Sequence, residues 1–178
     1  LPKCKNIECK KMFEKKRPNQ VVCSPQCAYA YQKQQREKKA KREWNKKKKE
    51  IKESLKTKKD YEKELQVIFN SYIRERDKGK GCISCGKPNG AEQAGHYRSV
   101  GSSSHLRFDE RNCHGQCIRC NMHLHGNAVN YRIGLVERFG EDYVQSIESD
   151  NTPRRYSIPE IIEMKVKIKD KLRSLKNK

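Results

Sequence analysis

The chain has 178 residues, a formal net charge of +20, and only 33% apolar residues against 36% charged ones. Such a composition excludes one large hydrophobic core running the whole length, and no apolar run approaches the roughly 20 residues that span a bilayer. The charge favours a polyanionic partner, DNA or RNA.

The first segment, LPKCKNIECKK, lacks the apolar centre of a secretory signal. An intracellular chain is therefore expected, in which stable disulfides are uncommon. Eight of the nine cysteines fall into close pairs, which points to metal binding. Residues 1–32 carry the first two pairs, Cys4 with Cys9 and Cys23 with Cys27. Phe13, Val21 and Val22 are too few to fold this unit by packing, so a zinc ion held by the four thiolates is expected to crosslink it.

Residues 33–78 read as one basic helical segment. No proline or glycine occurs between positions 28 and 78, and residues 33–60 hold 14 Lys/Arg against 5 Asp/Glu. Lys46, Lys47, Lys48 and Lys49 are the densest run and are candidate DNA contacts. The apolar positions Ala40, Trp44, Ile51 and Leu55 are too sparse to drive packing, which predicts an exposed, partly frayed helix. Trp44 either covers a helix contact or stacks on an exposed base, and the contact is favoured. From Tyr61 a real stripe begins, with Leu65, Ile68, Phe69, Tyr72 and Ile73 at helical spacing.

Residues 79–150 form the compact part and contain all ten glycines. Cys82-x2-Cys85 and Cys117-x2-Cys120 are the strongest motif in the chain. Each pair can present two thiolates to one ion, and four sulfurs make a closed, structural zinc site. A β-hairpin is expected between the pairs, with strands near 93–98 and 106–108. A helix should follow Cys120, with Val129, Ile133, Val136 and Phe139 on one face and Gly140 ending it. Asp142 is a candidate cap for a shorter helix carrying Val144 and Ile147. Cys113 has no partner at ligand spacing and is expected to be a free thiol. Residues 151–178 comprise a linker and a final helix capped by Ser157. There Ile161, Ile168 and Leu175 recur every seven residues, forming either a packing face against the basic helix or a dimer seam.

The four-sulfur site leaves His96, His105, Asn112, His114, Asn121, His123 and His125 without a structural task. Their arrangement resembles the HNH, or ββα-metal, nuclease motif: a strand histidine, His96; a loop asparagine, Asn112; and helix-side metal ligands, Asn121 and His125. An imidazole with a pKa near 7 can take a proton from an attacking water. A divalent cation, Mg²⁺ or Mn²⁺, can neutralise charge at the phosphate. His123 and His125 are two residues apart, so at most one faces the site, and His105 is expected to be exposed. Arg98, Arg107, Arg111 and His114 are candidate phosphate contacts.

More closely, the stretches FNSYIRERD, KGKGCISCG, AGHYRS, LRFDERNCHGQC, CNMHLHGN and YRIGLVERFG resemble the NinG/Rap family of lambdoid phage recombination proteins. So do CKNIEC…VVCSPQC and the lysine-rich helix, and the likeness covers nearly the whole chain. It implies a small zinc-stabilised α+β fold: an N-terminal zinc module, a long basic helix, a treble-clef HNH-like core and a C-terminal helix. It also implies a metal-dependent endonuclease acting on Holliday junctions and D-loops in the cytoplasm of a bacterial host, and a dimer where the junction is symmetric. Many HNH enzymes carry a metal-binding aspartate just before the strand histidine, where this chain has Gly95. Glu92, Asp109 and Glu110 stand as candidate replacements. The alternatives are a non-catalytic zinc-containing DNA-binding protein and an RNA-binding protein.

Overall fold

A computed structural model describes residues 1–177, which divide into two compact units at Lys56 and Thr57. No helix among the described residues is long and apolar enough to cross a membrane. The fold is a small mixed α/β one with two clusters of four cysteines.

The first unit is a cysteine-bearing loop followed by α1, Pro25–Ser54. Ser24 caps α1 by accepting from the Cys27 backbone N–H at 3.2 Å, and Pro25 occupies the first turn, where a missing N–H costs nothing. Lys3 and Met12 form an antiparallel bridge, and Lys10 takes a left-handed conformation, φ 51°, to reverse the chain between them. The loop is tied to α1 by Gln34, whose Nε2 donates to Asn6 Oδ1 at 3.1 Å. α1 itself buries no residue.

The single helical segment expected over 33–78 is two helices. α1 begins before it, and α2 spans Lys58–Arg76. The restart has a local cause. The Asp60 carboxylate accepts from the backbone N–H and the hydroxyl of Thr57, at 2.9 and 2.7 Å, and so builds a new N-terminus. The unit boundary accordingly falls inside the basic segment, and α2 belongs to the second unit.

In the second unit α2 packs on α5, Ile158–Lys176. Leu65, Phe69, Tyr72 and Ile73 of α2 are buried with Ile161 and Ile168 of α5 and Cys113. Each such side chain contributes about 1.5–3 kcal/mol of burial. The seven-residue repeat of α5 is thus a packing face within the chain. Ser157 caps α5 with Glu160 in a reciprocal box.

The sheet is a two-stranded antiparallel hairpin of β1, Gln93–His96, and β2, Cys113–Gln116. The second strand lies further along than 106–108, which instead close a short 3-10 segment, Ser104–Leu106, and form the turn after it. Asp109 then accepts from the Arg111 N–H at 2.8 Å, turning the chain just before β2. The register pairs His96 with Cys113 and Gly95 with His114. Opposed residues share a face and successive ones alternate. His96 and Cys113 therefore face α2, whereas Gly95 and His114 face the other way.

On that other face lies α3, Ala128–Phe139, followed by α4, Glu141–Glu148. Tyr131, Leu135, Val144 and Ile83 form their core. The expected face of α3 is rotated: Val129 is 76% exposed, and Ile133 and Phe139 are also exposed. The reason lies before the helix, where a five-residue π-turn, Arg119–His123, and left-handed His125 and Asn127 set its entry angle. Gly134 permits the close approach to the first cysteine turn, since a Cβ there would lie 1.8 Å from the Ile83 carbonyl oxygen. Gly140, φ 89°, ends α3, and α4 starts directly after it with Asp142 in its first turn. Val144 and Ile147 are buried, as their spacing implies.

Candidate metal centres and nuclease site

Both cysteine quartets are assembled. Cys4, Cys9, Cys23 and Cys27 place their sulfurs within 4.8 Å of one another, as do Cys82, Cys85, Cys117 and Cys120, so each set could hold a zinc ion. Zinc fits the donor chemistry, because four thiolates complete a tetrahedral shell. Backbone N–H groups point at the sulfurs: Cys23 N–H to Cys4 Sγ, Cys117 N–H to Cys82 Sγ and Cys120 N–H to Cys117 Sγ, each at 3.4 Å. Two side-chain amides do the same, Asn6 toward Cys27 Sγ at 3.4 Å and Asn127 toward Cys120 Sγ at 3.5 Å. Such donors stabilise the charge of a thiolate and orient it. Nothing in the cysteine spacing singles out Asn6 or Asn127. Cys113 belongs to neither set; it is fully buried on the α2 face of the hairpin, and burial pushes its thiol well above the ordinary range.

His96 ends β1. Its Nε2 lies 2.8 Å from the Arg107 carbonyl oxygen. A carbonyl only accepts, so Nε2 carries the proton and Nδ1 keeps its lone pair. The ring stacks on Phe69, centroids 6.4 Å apart. Burial lowers its pKa below 6.5 despite the opposing hydrogen bond to Arg107, which keeps the imidazole neutral near pH 7.

Asn112 holds the loop that carries Arg107. Its Oδ1 accepts from the Arg98 N–H at 2.8 Å, and its Nδ2 donates to the Arg98 and Leu106 carbonyls at 3.0 and 3.3 Å. The side chain is wholly buried, so it positions the loop and does not reach a ligand. His96 and Asn112 are thus brought together through the 97–112 loop.

Asn121 lies elsewhere. A Cβ built on Gly95 would sit 3.2 Å from Asn121 Oδ1 and 2.0 Å from Gln116 Oε1. This places Asn121 on the hairpin face opposite the His96 ring. The Gln116 amide occupies the space of a residue-95 side chain and is fixed there. Its Nε2 donates to Ser84 Oγ at 2.6 Å and to the Gly126 carbonyl at 2.7 Å, which sets the orientation of the amide. Its Oε1 is buried and is the one such side-chain atom without a partner among the described residues. A packing that only glycine tolerates, in an ordinary strand conformation, therefore stands where an aspartate was expected. None of the three candidate replacements is free. Glu92 accepts from the Ile118 N–H at 3.2 Å, Asp109 pairs with Arg111 at 2.7 Å, and Glu110 accepts from Tyr72 at 2.7 Å and Lys171 at 2.5 Å.

His125, in a left-handed conformation, and His123 are both exposed. The donors near Gly95 are then neutral oxygens, with the His125 imidazole exposed a few residues beyond Asn121. Mg²⁺ accepts hard oxygens and retains its waters, so such a set suits it when phosphate supplies the negative charge.

The candidate phosphate contacts are engaged within the chain. Arg98 Nη1 donates to the Ile147, Glu148 and Asp150 carbonyls at 3.0, 3.2 and 2.8 Å, closing the C-terminus of α4. Arg107 bonds Gln66 at 2.8 Å and Glu62 at 3.3 Å, and Arg111 pairs with Asp109 and, at 3.2 Å, Asp150. His114 is 2% exposed, packed among Tyr131, Phe139 and Tyr143. Its place on the inner face of β2 turns it away from any ligand. His105 is half-buried rather than exposed and bonds the Asp150 carbonyl at 2.6 Å.

Sequence reasoning missed the pair at the end of α2. Arg76 grips Asp77 at 2.9 and 2.7 Å and donates to the Cys113 carbonyl at 2.8 Å, while Asp77 accepts from the Gly115 N–H at 2.9 Å. Burial alone would raise the Asp77 carboxyl, but Arg76, the Gly115 N–H and Lys80 together hold it at about 2. The pair anchors β2, and so the hairpin, to α2. Adjacent opposite charges in a basic run gave no signal of it. Tyr131, donating to the Gly95 carbonyl at 2.8 Å, anchors β1 from the other side.

The family model described as Bacteriophage Lambda NinG protein matches residues 1–178. Protein ninG of Escherichia phage lambda is 39% identical over 190 residues, covering 98% of this chain and 93% of that protein. Protein ninG of Salmonella phage P22 is 40% identical over 190 residues, covering 98% and 94%. Protein ninG of Escherichia phage 933W is 43% identical over 125 residues, covering 70% and 62%. No solved structure matches the chain.

Proposed function

The chain belongs to the NinG family of bacteriophage proteins, and on that premise we propose that it is a structure-specific DNA endonuclease of the HNH type. Its substrates are branched recombination intermediates, Holliday junctions and D-loops, and Mg²⁺ or Mn²⁺ is its catalytic cofactor. The observation that carries this reading is His96. It sits at the end of a strand, its Nε2–H committed to the Arg107 carbonyl at 2.8 Å and its Nδ1 left basic. The hairpin, the turn that follows it and a helix, arranged around four convergent thiols, support a treble-clef core.

In this mechanism Nδ1 of neutral His96 accepts the proton of the attacking water. Asn112 keeps the 97–112 loop closed, so that Arg107 holds the ring. A divalent ion would supply charge neutralisation at the phosphate under attack when bound. Asn121, however, lies on the hairpin face opposite the His96 ring, so an ion held by Asn121 and His125 would not share the phosphate that His96 serves. The exposed lysines of α1, Lys46 to Lys49 among them, bind the backbone without sequence preference and release counterions. Two copies would be needed to cut both strands of a symmetric junction.

A second reading is favoured by one observation. Among the described residues, the only groups of three or more His, Cys, Asp or Glu able to hold a metal are the two cysteine quartets. A non-catalytic zinc-containing DNA-binding protein would need nothing more. Incubation of a labelled four-way junction with Mg²⁺ or Mn²⁺ separates the two. Wild type should cut and His96→Ala should bind without cutting. Binding without cutting by wild type would establish the second reading, and equal cutting by both proteins would remove His96 from its role.

A further inference from the structure

We infer that Trp44 is a stacking platform for an unpaired DNA base, set within the basic array of α1. The inference rests on the DNA-binding reading above and adds to it a site for single-stranded DNA, which the nuclease chemistry does not require.

Trp44 is 67% exposed in a helix that buries no residue at all. The helix contact expected for it from sequence is absent, so its ring has no packing task among the described residues. Apart from Ala40, its nearest neighbours on the helix surface are cations. Lys41, Lys47 and Lys48 stand three or four residues away, which places them within roughly 60° of the Trp44 direction and about 5 Å along the axis. Lys46 pairs with Glu50 at 4.0 Å, whereas Lys41, Lys47 and Lys48 make no ion pair among the described residues. Ile51 and Leu55, also exposed, continue the same stripe toward the helix end.

A protein partner docking on this stripe would bury one tryptophan and two aliphatic side chains amid strong positive charge. A second copy is excluded on the same ground: residues 25–54 carry eleven Lys/Arg against four Asp/Glu, so two such helices repel. A strand of DNA matches both features. Its phosphates answer the lysines, and an unpaired base offers a π face to the indole. Stacking of this kind is tolerant of base identity. Duplex DNA offers the phosphates but keeps its bases stacked within the helix. The unpaired bases of a branch point or D-loop are therefore the occupant that uses the whole surface.

Trp44 is the single tryptophan of the chain, so its emission reports this site alone. Intact zinc-loaded protein is titrated with an oligothymidylate, an abasic strand of equal length, a duplex and an oligouridylate. Tryptophan emission is followed in parallel with anisotropy of labelled strands. Oligothymidylate should quench the emission strongly, and the abasic strand and duplex should bind with little quenching. Trp44→Leu, which removes no packing, should weaken oligothymidylate binding by about 5- to 150-fold, the worth of one stacked base. It should leave duplex binding within about 2-fold, since the phosphate contacts are kept.

Quenching equal to oligothymidylate by the abasic strand would refute stacking. So would binding by anisotropy with unchanged emission, or an unaffected Trp44→Leu variant. Tighter binding and stronger quenching by oligouridylate would refute DNA as the occupant. Failure of every strand to bind would refute the DNA reading of the chain itself, and this inference with it.

Discussion

Replacing Gly95 with alanine adds one methyl group, and the structure sets the sign of its effect. By conformational entropy alone the change should stabilise an extended position by about 0.4–1 kcal/mol. The new Cβ, however, would lie 2.0 Å from Gln116 Oε1, whereas a relaxed C···O contact is about 3.3 Å or more. Gln116 must withdraw by more than an ångström, and it has nowhere to go. It is fully buried and tied at 2.6 Å to Ser84 and at 2.7 Å to Gly126. Breaking those two bonds costs about 1–3 kcal/mol, and overpacking adds about 1–3 kcal/mol. A net loss of about 2–5 kcal/mol follows, or a fall in Tm of about 8–20 °C for a unit of this size. Urea unfolding of zinc-saturated protein measures it. Gln116→Ala in the same chain tests the cause: with the amide removed, the Gly95 methyl should cost nothing further. Gly95→Asp should be worse than Gly95→Ala and should not regain stability with Mg²⁺. A stabilised Gly95→Ala variant, or the same cost with and without Gln116, would refute the account of why no carboxylate stands beside His96.

Burial, with smaller contributions from neighbouring charges, draws His114 from 6.5 down to about 3. The unfolded chain therefore binds a proton that the native state refuses, so this contribution to stability is whole above pH 6.5 and is lost as pH falls toward 3. Unfolding free energy measured across that window should slope downward, and His114→Phe should flatten the slope; an unchanged slope would place the titration elsewhere. Zinc released per chain should fall from two ions to one in Cys117→Ser and in Cys23→Ser, and stay at two in Cys113→Ser. A full zinc complement in either of the first two variants would contradict the quartets.

Much of this architecture is legible locally. The quartets could be named from spacing because each ligand pair lies within one turn of chain, and the structure brings the eight sulfurs together as two groups. The apolar stripe of α2 and the Ser157 cap of α5 were readable for the same reason, since helical period and capping act over a few residues. The break at Thr57 was local too, and Thr57 and Asp60 carried its signature. It was hidden only by the uniform lysine background. β2 was misplaced because four residues reading CHGQ have no strand character of their own. Their pairing partner is β1, and Arg76 and Asp77 hold them from a distant helix.

The composition and motifs alone therefore determine a basic chain with two cysteine quartets able to hold metal ions and a histidine-bearing hairpin segment between two cysteine turns. Which side chains can act together is decided only by tertiary structure. Strand alternation puts His96 and His114 on opposite faces, and long-range carbonyls and carboxylates engage Arg98, Arg107 and Arg111. At Gly95 the missing carboxylate turns out to be space already filled by Gln116, a residue 21 positions away. No local pattern encodes such an exclusion, because it arises when two strands pair and one side chain occupies the volume that the other would need.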